Sequence, residues 1–264
     1  MKYVLAAFFA LFATAVFADT LVIATGKEGG RYDERAHVIA QHLTQRGSVV
    51  SVENFNGSDE ISLAVCGGRA SIGIAQRDAL FTRFTEGCDL KPIGLFGTEY
   101  AMILFPPKSP IGNLYDLTDK DTVQVDTIGS GSELFWKTIT RIEKSDEGSK
   151  DAWANAQINN DPLSLAPVNA ANGDIKAVVM VRQTNNPDVT RLLSLGWKLG
   201  YLYDKNIDDQ KYKDGSLYVS SKIAVRYDGS TAKNWGYEIP SFIVVSKSLA
   251  ANKALFSDVV AAAQ

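Results

Sequence analysis

The chain has 264 residues, with 27 Lys and Arg against 30 Asp and Glu and a net charge of −3. A chain of this length buries roughly three quarters of its unfolded surface, enough for one large core or two lobes. The acidic balance and the lack of Lys-Arg clusters exclude the basic face that nucleic acid demands, and two cysteines and two histidines argue against structural zinc.

Residues 1–18 read as a secretory signal peptide. Lys2 supplies the positive start, residues 3–16 are an almost unbroken apolar run, and Val16-Phe17-Ala18 puts a small residue at the cut. The run is shorter than the roughly 20 residues a membrane span needs. Export makes a bridge between Cys66 and Cys88 the expected state, closing a loop of about 22 residues worth about 3 kcal/mol. Two separate buried thiols are the alternative.

After the signal, strand and helix alternate. Residues 21–25 are β-rich and end in the glycine-rich stretch 26–30, before Ala36, Ile39, Ala40 and Leu43 at helical spacing, stopped by Gly47. A strand over 49–52 leads into the turn Asn54 to Ser58 and a helix over 59–65 that stops at Gly67-Gly68. Residues 71–75 form a third strand, and Gln76-Arg77-Asp78 opens another helix. This βαβαβα order predicts a parallel sheet covered by helices. Residues 93–105 are strand-like and halt at Pro106-Pro107.

A second alternation begins with a strand over 123–128, then Gly129-Ser130-Gly131-Ser132 and a helix over 133–143. Residues 145–148 read as loop, 174–181 as strand, and Asn185-Asn186-Pro187 as the break before a short helix to Leu195. The charged stretch 204–214 reads as a solvated loop. Strands over 217–227 and 242–245 and a helix over 249–263 close the chain. The expected fold is α/β with two lobes, each a mixed sheet flanked by helices. Residues 19–105 and 240–264 form lobe 1, and 106–239 form an inserted lobe 2. Ligands in such sheets sit beyond the carboxyl ends of the strands, and two facing lobes make a cleft that can hinge.

Four strand-to-helix junctions combine glycine with hydroxyl, amide or charged residues: Gly26 to Tyr32, Asn56-Gly57-Ser58, Gln76 to Asp78, and Gly129 to Ser132. Unpaired N–H groups in a first helical turn, with the helix dipole, attract a carboxylate or phosphate. Taken singly, Ser58 and Ser132 read as helix caps. Gly30, Gly57 and Gly131 let a ligand approach the backbone. Arg31, Arg77 and Arg182 stand where an arginine can grip a carboxylate with two parallel bonds, or remain solvated surface charges. Asp78 suits a ligand ammonium or a helix cap. Tyr32, Tyr100 and Trp136 are candidate apolar walls, or core.

An enzyme finds little here. Gly129 to Ser132 is not G-x-S-x-G, and the glycines near Gly26 have neither dinucleotide nor P-loop spacing. His37 and His42 lie five residues apart on one helix, on different faces, and no base is placed to activate Ser130 or Ser132. No catalytic residue, metal or cofactor is expected.

In Leu21 to Tyr32 (LVIATGKEGGRY) the sequence resembles the opening strand and glycine-tyrosine turn of TAXI-type solute receptors of TRAP transporters, a branch of the type II periplasmic binding proteins. Val52 to Ser58, Ala70 to Ala79, Gly129 to Ser132 and Asn172 to Val181 follow in the same order and spacing. Arg77, and the pair Arg182-Gln183, depart from the usual pattern. The resemblance implies a monomeric periplasmic receptor that hands a small anionic solute, an amino acid or dicarboxylate, to membrane transporter subunits. Two other readings stay open: an oxyanion receptor for an ABC importer, and a secreted interaction protein with a vestigial cleft.

Overall fold

The computed structural model describes residues 20–149 and 151–264; the expected signal peptide over 1–18 lies outside them. In chain order β1 (Leu21–Thr25), α1 (Arg31–Gln45), β2 (Val50–Asn54), α2 (Ser58–Cys66), β3 (Ile72–Gln76) and α3 (Arg77–Thr85) lead into the long strand β4 (Lys91–Phe105). Next come β5 (Thr122–Gln124), α4 (Gly131–Ser145), β6 (Gln157–Asn159), α5 (Ala166–Asn172), β7 (Ala177–Arg182) and α6 (Pro187–Ser194). The last stretch holds β8 (Lys198–Leu199), α7 (Lys205–Asp208), β9 (Lys211–Tyr212), β10 (Gly215–Ser216), β11 (Val219–Tyr227), β12 (Ser230–Val245), α8 (Lys247–Ala251) and α9 (Lys253–Ala263).

The architecture is α/β and two-lobed, and its sheet is mixed, as expected. The strand order is β2-β1-β3-β12-β4-β7-β5-β6, with β11 beside β12 and β8 beside β4. β1 runs parallel to β2 and β3, and β5 runs parallel to β6 and β7. The two long strands join these parallel groups antiparallel: β12 pairs with β3 and β4, and β4 pairs with β7. β4 follows α3 directly, whereas β12 returns from far along the chain to lie between β3 and β4.

β12 extends well beyond the 242–245 expected for it. Its early half carries Lys233, Asn234 and Glu238 among apolar residues, and it is a strand because β11 lies along it from Tyr227↔Ser230 to Val219↔Glu238. Pro240 sits inside β12 opposite Thr98 of β4, where the ladder soon shifts register. β5, expected over 123–128, ends at Gln124 because Asp126 adopts φ 70° and turns the chain. The final helix divides at Asn252, whose side chain accepts the Leu255 N–H and caps α9. Between 149 and 173, where no element was expected, lie β6 and α5.

The stretch 204–214 is not a solvated loop. It holds α7 and β9, which pairs with β10 just beyond it, and Tyr212 is 6% exposed. Its ring meets Phe81 and Phe84 of α3 edge-on, and Arg77 Nη2 donates to its carbonyl at 3.0 Å. The surrounding charges conceal one aromatic anchor.

Three buried clusters hold the molecule. Ile23, Ile39, Leu43, Ile74, Ile243 and Val259 join α1 and α9 to one face of the first lobe's sheet. Met102, Leu104, Val178, Met180, Leu192 and Trp197 pack α6 on the second lobe. The largest cluster includes Ile61, Leu80, Phe135, Trp136, Tyr218 and Tyr237, and so takes in residues of α2, α3 and α4 together with both long strands. At about 25 cal/mol per Å² of apolar surface, these clusters supply most of the driving force for the fold. The expected disulfide is present: Cys66 at the end of α2 is bonded to Cys88 after α3.

Candidate functional site

The main cavity, about 430 Å³, opens between the two lobes and falls within the range of small-molecule sites. Its first-lobe wall is formed by Gly30, Arg31 and Tyr32 at the start of α1, by Asn56, Gly57 and Ser58 at the start of α2, and by Gln76 at the end of β3. Opposite stand Ser130 and Gly131 at the start of α4, and Arg182 at the end of β7. All of these lie just beyond carboxyl ends of parallel strands, the usual place for ligands in such sheets.

The helix starts differ in their caps. Gly30, Gly57 and Gln76 precede α1, α2 and α3 without a side-chain cap, whereas Ser130 Oγ accepts the Glu133 N–H at 3.2 Å. Ser58, read as a cap, instead accepts the Gln76 backbone N–H at 3.1 Å and ties α2 to β3. Uncapped first turns leave N–H donors for an anionic group.

Two expected site residues stand apart from this group. Asp78 is fully buried, takes the Ala79 N–H at 3.0 Å and receives the Tyr218 hydroxyl at 3.1 Å. Burial pushes its carboxyl up to about 7, and the Tyr218 hydrogen bond acts in the opposite sense. Ser132 is also fully buried, and its Oγ accepts the Val181 N–H at 2.9 Å, fixing α4 to β7. Both are structural contacts one step behind the cavity wall.

The cavity also holds Lys27, Gln183 and Asn186, and residues not singled out from the sequence: Glu99, Asp126 and Asp188, and a short wall at Pro162, Leu163 and Ser164. Glu99 did leave a signal, as the one charge between residues 93 and 105. Asp126 left a similar one inside its apolar run, whereas the 162–164 wall comes from a stretch with no readable pattern.

Electrostatically the lining is balanced, with Lys27, Arg31 and Arg182 against Glu99, Asp126 and Asp188. Arg182 is already engaged: it forms an ion pair with Asp126 and donates to the Val181 carbonyl at 2.8 Å. Asp126 is 3% exposed and also accepts the Thr127 N–H at 2.8 Å. The Arg31 guanidinium lies 5.0 Å from the Phe96 ring centre. Glu99 Oε2 collects hydrogens from Tyr32 Oη, from Ser241 Oγ at 3.0 Å and from Gln76 Nε2 at 3.1 Å. Burial, with Glu99 next to it, raises the Tyr32 phenol well above its usual range, so it stays a donor.

Neither histidine lines the cavity; His37 is largely exposed on α1, 3.7 Å from Asp33. Elsewhere among the described residues, Glu143, Asp151 and Asp204 bring carboxylate oxygens within 4.8 Å of one another. Neutral donors serve this group: Asn206 Nδ2 at 3.1 Å from Glu143 and Tyr115 Oη at 3.0 Å from Asp204.

No protein-family model matches the chain, and no curated protein matches its sequence. Solved structures do match. The periplasmic aliphatic sulphonate binding protein SsuA from Escherichia coli is 19% identical, with a TM-score of 0.52 over 92% of this chain and 70% of that one. A substrate-binding protein of an amino acid ABC transporter is 17% identical, with a TM-score of 0.49 over 92% and 91%. The alkanesulfonate-binding protein SsuA from Xanthomonas axonopodis pv. citri, bound to MOPS, is also 17% identical, with a TM-score of 0.49 over 92% and 71%. The chain shares the α/β fold of the E. coli binding protein.

Proposed function

We propose that this chain is a periplasmic receptor that captures a small solute bearing an anionic group, an amino acid or an organic acid, between its lobes. The observation that carries this is the convergence of glycine-rich starts of α1, α2 and α4, from both lobes, on one cavity of about 430 Å³. Backbone donors there would hold the anion. Hinging along β4 and β12 would close the lobes, exclude water and strengthen each polar contact in a lower dielectric.

In this reading the signal peptide over 1–18 directs export, residues 106–239 form the inserted lobe, and a monomer docks on the membrane subunits of a TRAP-type transporter. A second reading, an oxyanion receptor for an ABC importer, draws support from the fold shared with the sulphonate-binding protein of E. coli.

Thermal unfolding of purified protein against a panel of carboxylates, amino acids, sulfonates and phosphonates tests both. A true ligand at a hundred times its Kd stabilises by about 2.7 kcal/mol through mass action. A carboxylate or amino acid that raises Tm supports the first reading, and a sulfonate or phosphonate supports the second. A panel with no effect, and no small molecule retained in native mass spectrometry, would overturn the receptor reading.

A further inference from the structure

Glu99 is the one acid of the cavity with no cation of its own. Asp126 is paired with Arg182, and Asp188 lies 3.9 Å from Arg191. Glu99 is half-buried on β4, and it belongs to none of the ion pairs among the described residues. All three of its hydrogen bonds come from neutral donors and converge on Oε2, leaving Oε1 without a protein donor. A half-buried carboxylate held on one oxygen alone presents the other to the cavity, where a cationic group is its best partner.

Its neighbour points the same way. Gln76 is 3% exposed, and its Nε2 is spent on Glu99. That fixes the orientation of the amide, because only the NH₂ end can donate to a carboxylate. The other end, Oε1, is buried without a partner. Gln76 is also held over Gly131, where a β-carbon would lie 2.5 Å from its amide, so the side chain cannot swing towards α4. Two lining residues therefore each carry an oxygen with no protein donor, Glu99 Oε1 and Gln76 Oε1. A buried acceptor left unmatched is costly, and a ligand N–H group removes the cost.

We infer that the solute carries a cationic nitrogen as well as its acid group, and that Glu99 with Gln76 Oε1 forms the subsite for that nitrogen. The inference rests on the receptor reading and narrows it from anions to zwitterions. The formal balance of the lining fits a ligand with no net charge: the uncapped helix starts take the acid end and Glu99 takes the amine end. Glu99 stands on a strand common to both lobes, with Tyr32, Ser241 and Gln76 fixing its carboxylate, so the subsite is rigid before any closure.

Isothermal titration of the full purified protein with matched pairs tests this. L-glutamate is compared with glutarate, L-leucine with 4-methylpentanoate, and taurine with ethanesulfonate, so that each pair differs by one amino group. In whichever pair binds, the amine-bearing member is expected to bind about a hundredfold more tightly or better, the range for an unmatched buried charge. In Glu99→Gln the two members should come within about tenfold of each other, because the subsite is then neutral. An acid that binds wild-type protein as tightly as its amine-bearing partner overturns the inference and leaves the receptor reading standing. So does a folded Glu99→Gln protein that keeps the full preference. Absence of binding by every compound, with no small molecule retained in native mass spectrometry, overturns both.

Discussion

Gly57 and Gly129 meet backbone to backbone across the cleft. A β-carbon on Gly57 would stand 2.9 Å from the Gly129 carbonyl oxygen, 2.9 Å from Ser130 Cα and 3.0 Å from the Gly131 nitrogen. These neighbours are main-chain atoms of the opposite lobe and cannot rotate away as a flexible side chain would. Gly57→Ala should therefore wedge the lobes apart while leaving each lobe folded. Overpacking of this kind costs about 1–3 kcal/mol, so solute affinity should fall about ten- to a hundredfold, with circular dichroism unchanged. Small-angle scattering at saturating ligand should show a larger radius than wild type; an unchanged radius and affinity would mean that the contact does not govern closure.

Arg182 was expected to grip a ligand carboxylate, but the structure gives it a resident partner. Asp126 is almost wholly buried and depends on that guanidinium. Arg182→Met should strand the carboxylate and destabilise the protein by about 2–4 kcal/mol, somewhat under the 3–5 typical of a fully buried pair because Arg182 keeps some water access. Arg182→Met with Asp126→Asn should recover much of the loss. Urea unfolding of the four proteins measures this coupling, and additive losses would show that the pair contributes no more than two independent surface charges.

Why these two arginine-aspartate partners were not legible beforehand is a matter of sequence distance. The helix starts could be read, because glycine and serine before an apolar period mark a turn whatever lies around it. β1, α2 and β3 fall within a residue of the pattern, α1 and α3 lie where it places helices, and 10 of the 12 residues proposed for the site line the cavity. Pairing across 56 positions, as between Asp126 and Arg182, leaves no local trace. The same holds for β12, whose polar early half resembles a loop until β11 lies against it. Tyr212 was hidden by composition, since one anchor among many charges weighs little in a pattern and much in a packed interface. Asp78 differs for a subtler reason: a helix-start aspartate normally faces outward, and the partner of this buried one, the Tyr218 hydroxyl, comes from a distant part of the chain.

The disulfide joins the end of α2 to the segment after α3, two helices whose starts face the cavity or flank it. With the cysteines 22 positions apart, the bond should contribute about 3 kcal/mol by restricting the unfolded chain. Cys66→Ala with Cys88→Ala should lower the urea midpoint accordingly. Ligand affinity should change by less than about threefold, because chain restriction acts on the unfolded state and leaves the folded site in place. A large loss of affinity at unchanged stability would assign the bond to shaping the cavity instead.

Asp78 should make stability depend on pH near neutrality. Its carboxyl is fully buried and its pKa stands at about 7 rather than the usual 3.8, chiefly through loss of water, with the Tyr218 and Ala79 hydrogen bonds opposing. A raised folded value means that the fold favours the protonated form. The stabilisation is complete below the unfolded value near 4 and is lost as pH rises through about 7, up to about 4 kcal/mol in all. Asp59, raised in the same direction by burial, adds to the slope, so the comparison that isolates Asp78 is with Asp78→Asn. Wild-type Tm should fall from pH 5 to pH 8, and Asp78→Asn should fall less. The variant should be slightly less stable at pH 5, where Asn repels the Ala79 N–H if its NH₂ faces it, and more stable at pH 8, where no charge is buried. Parallel curves for the two proteins across that window would show that Asp78 is ionised throughout and that its pocket is wetter than its burial indicates.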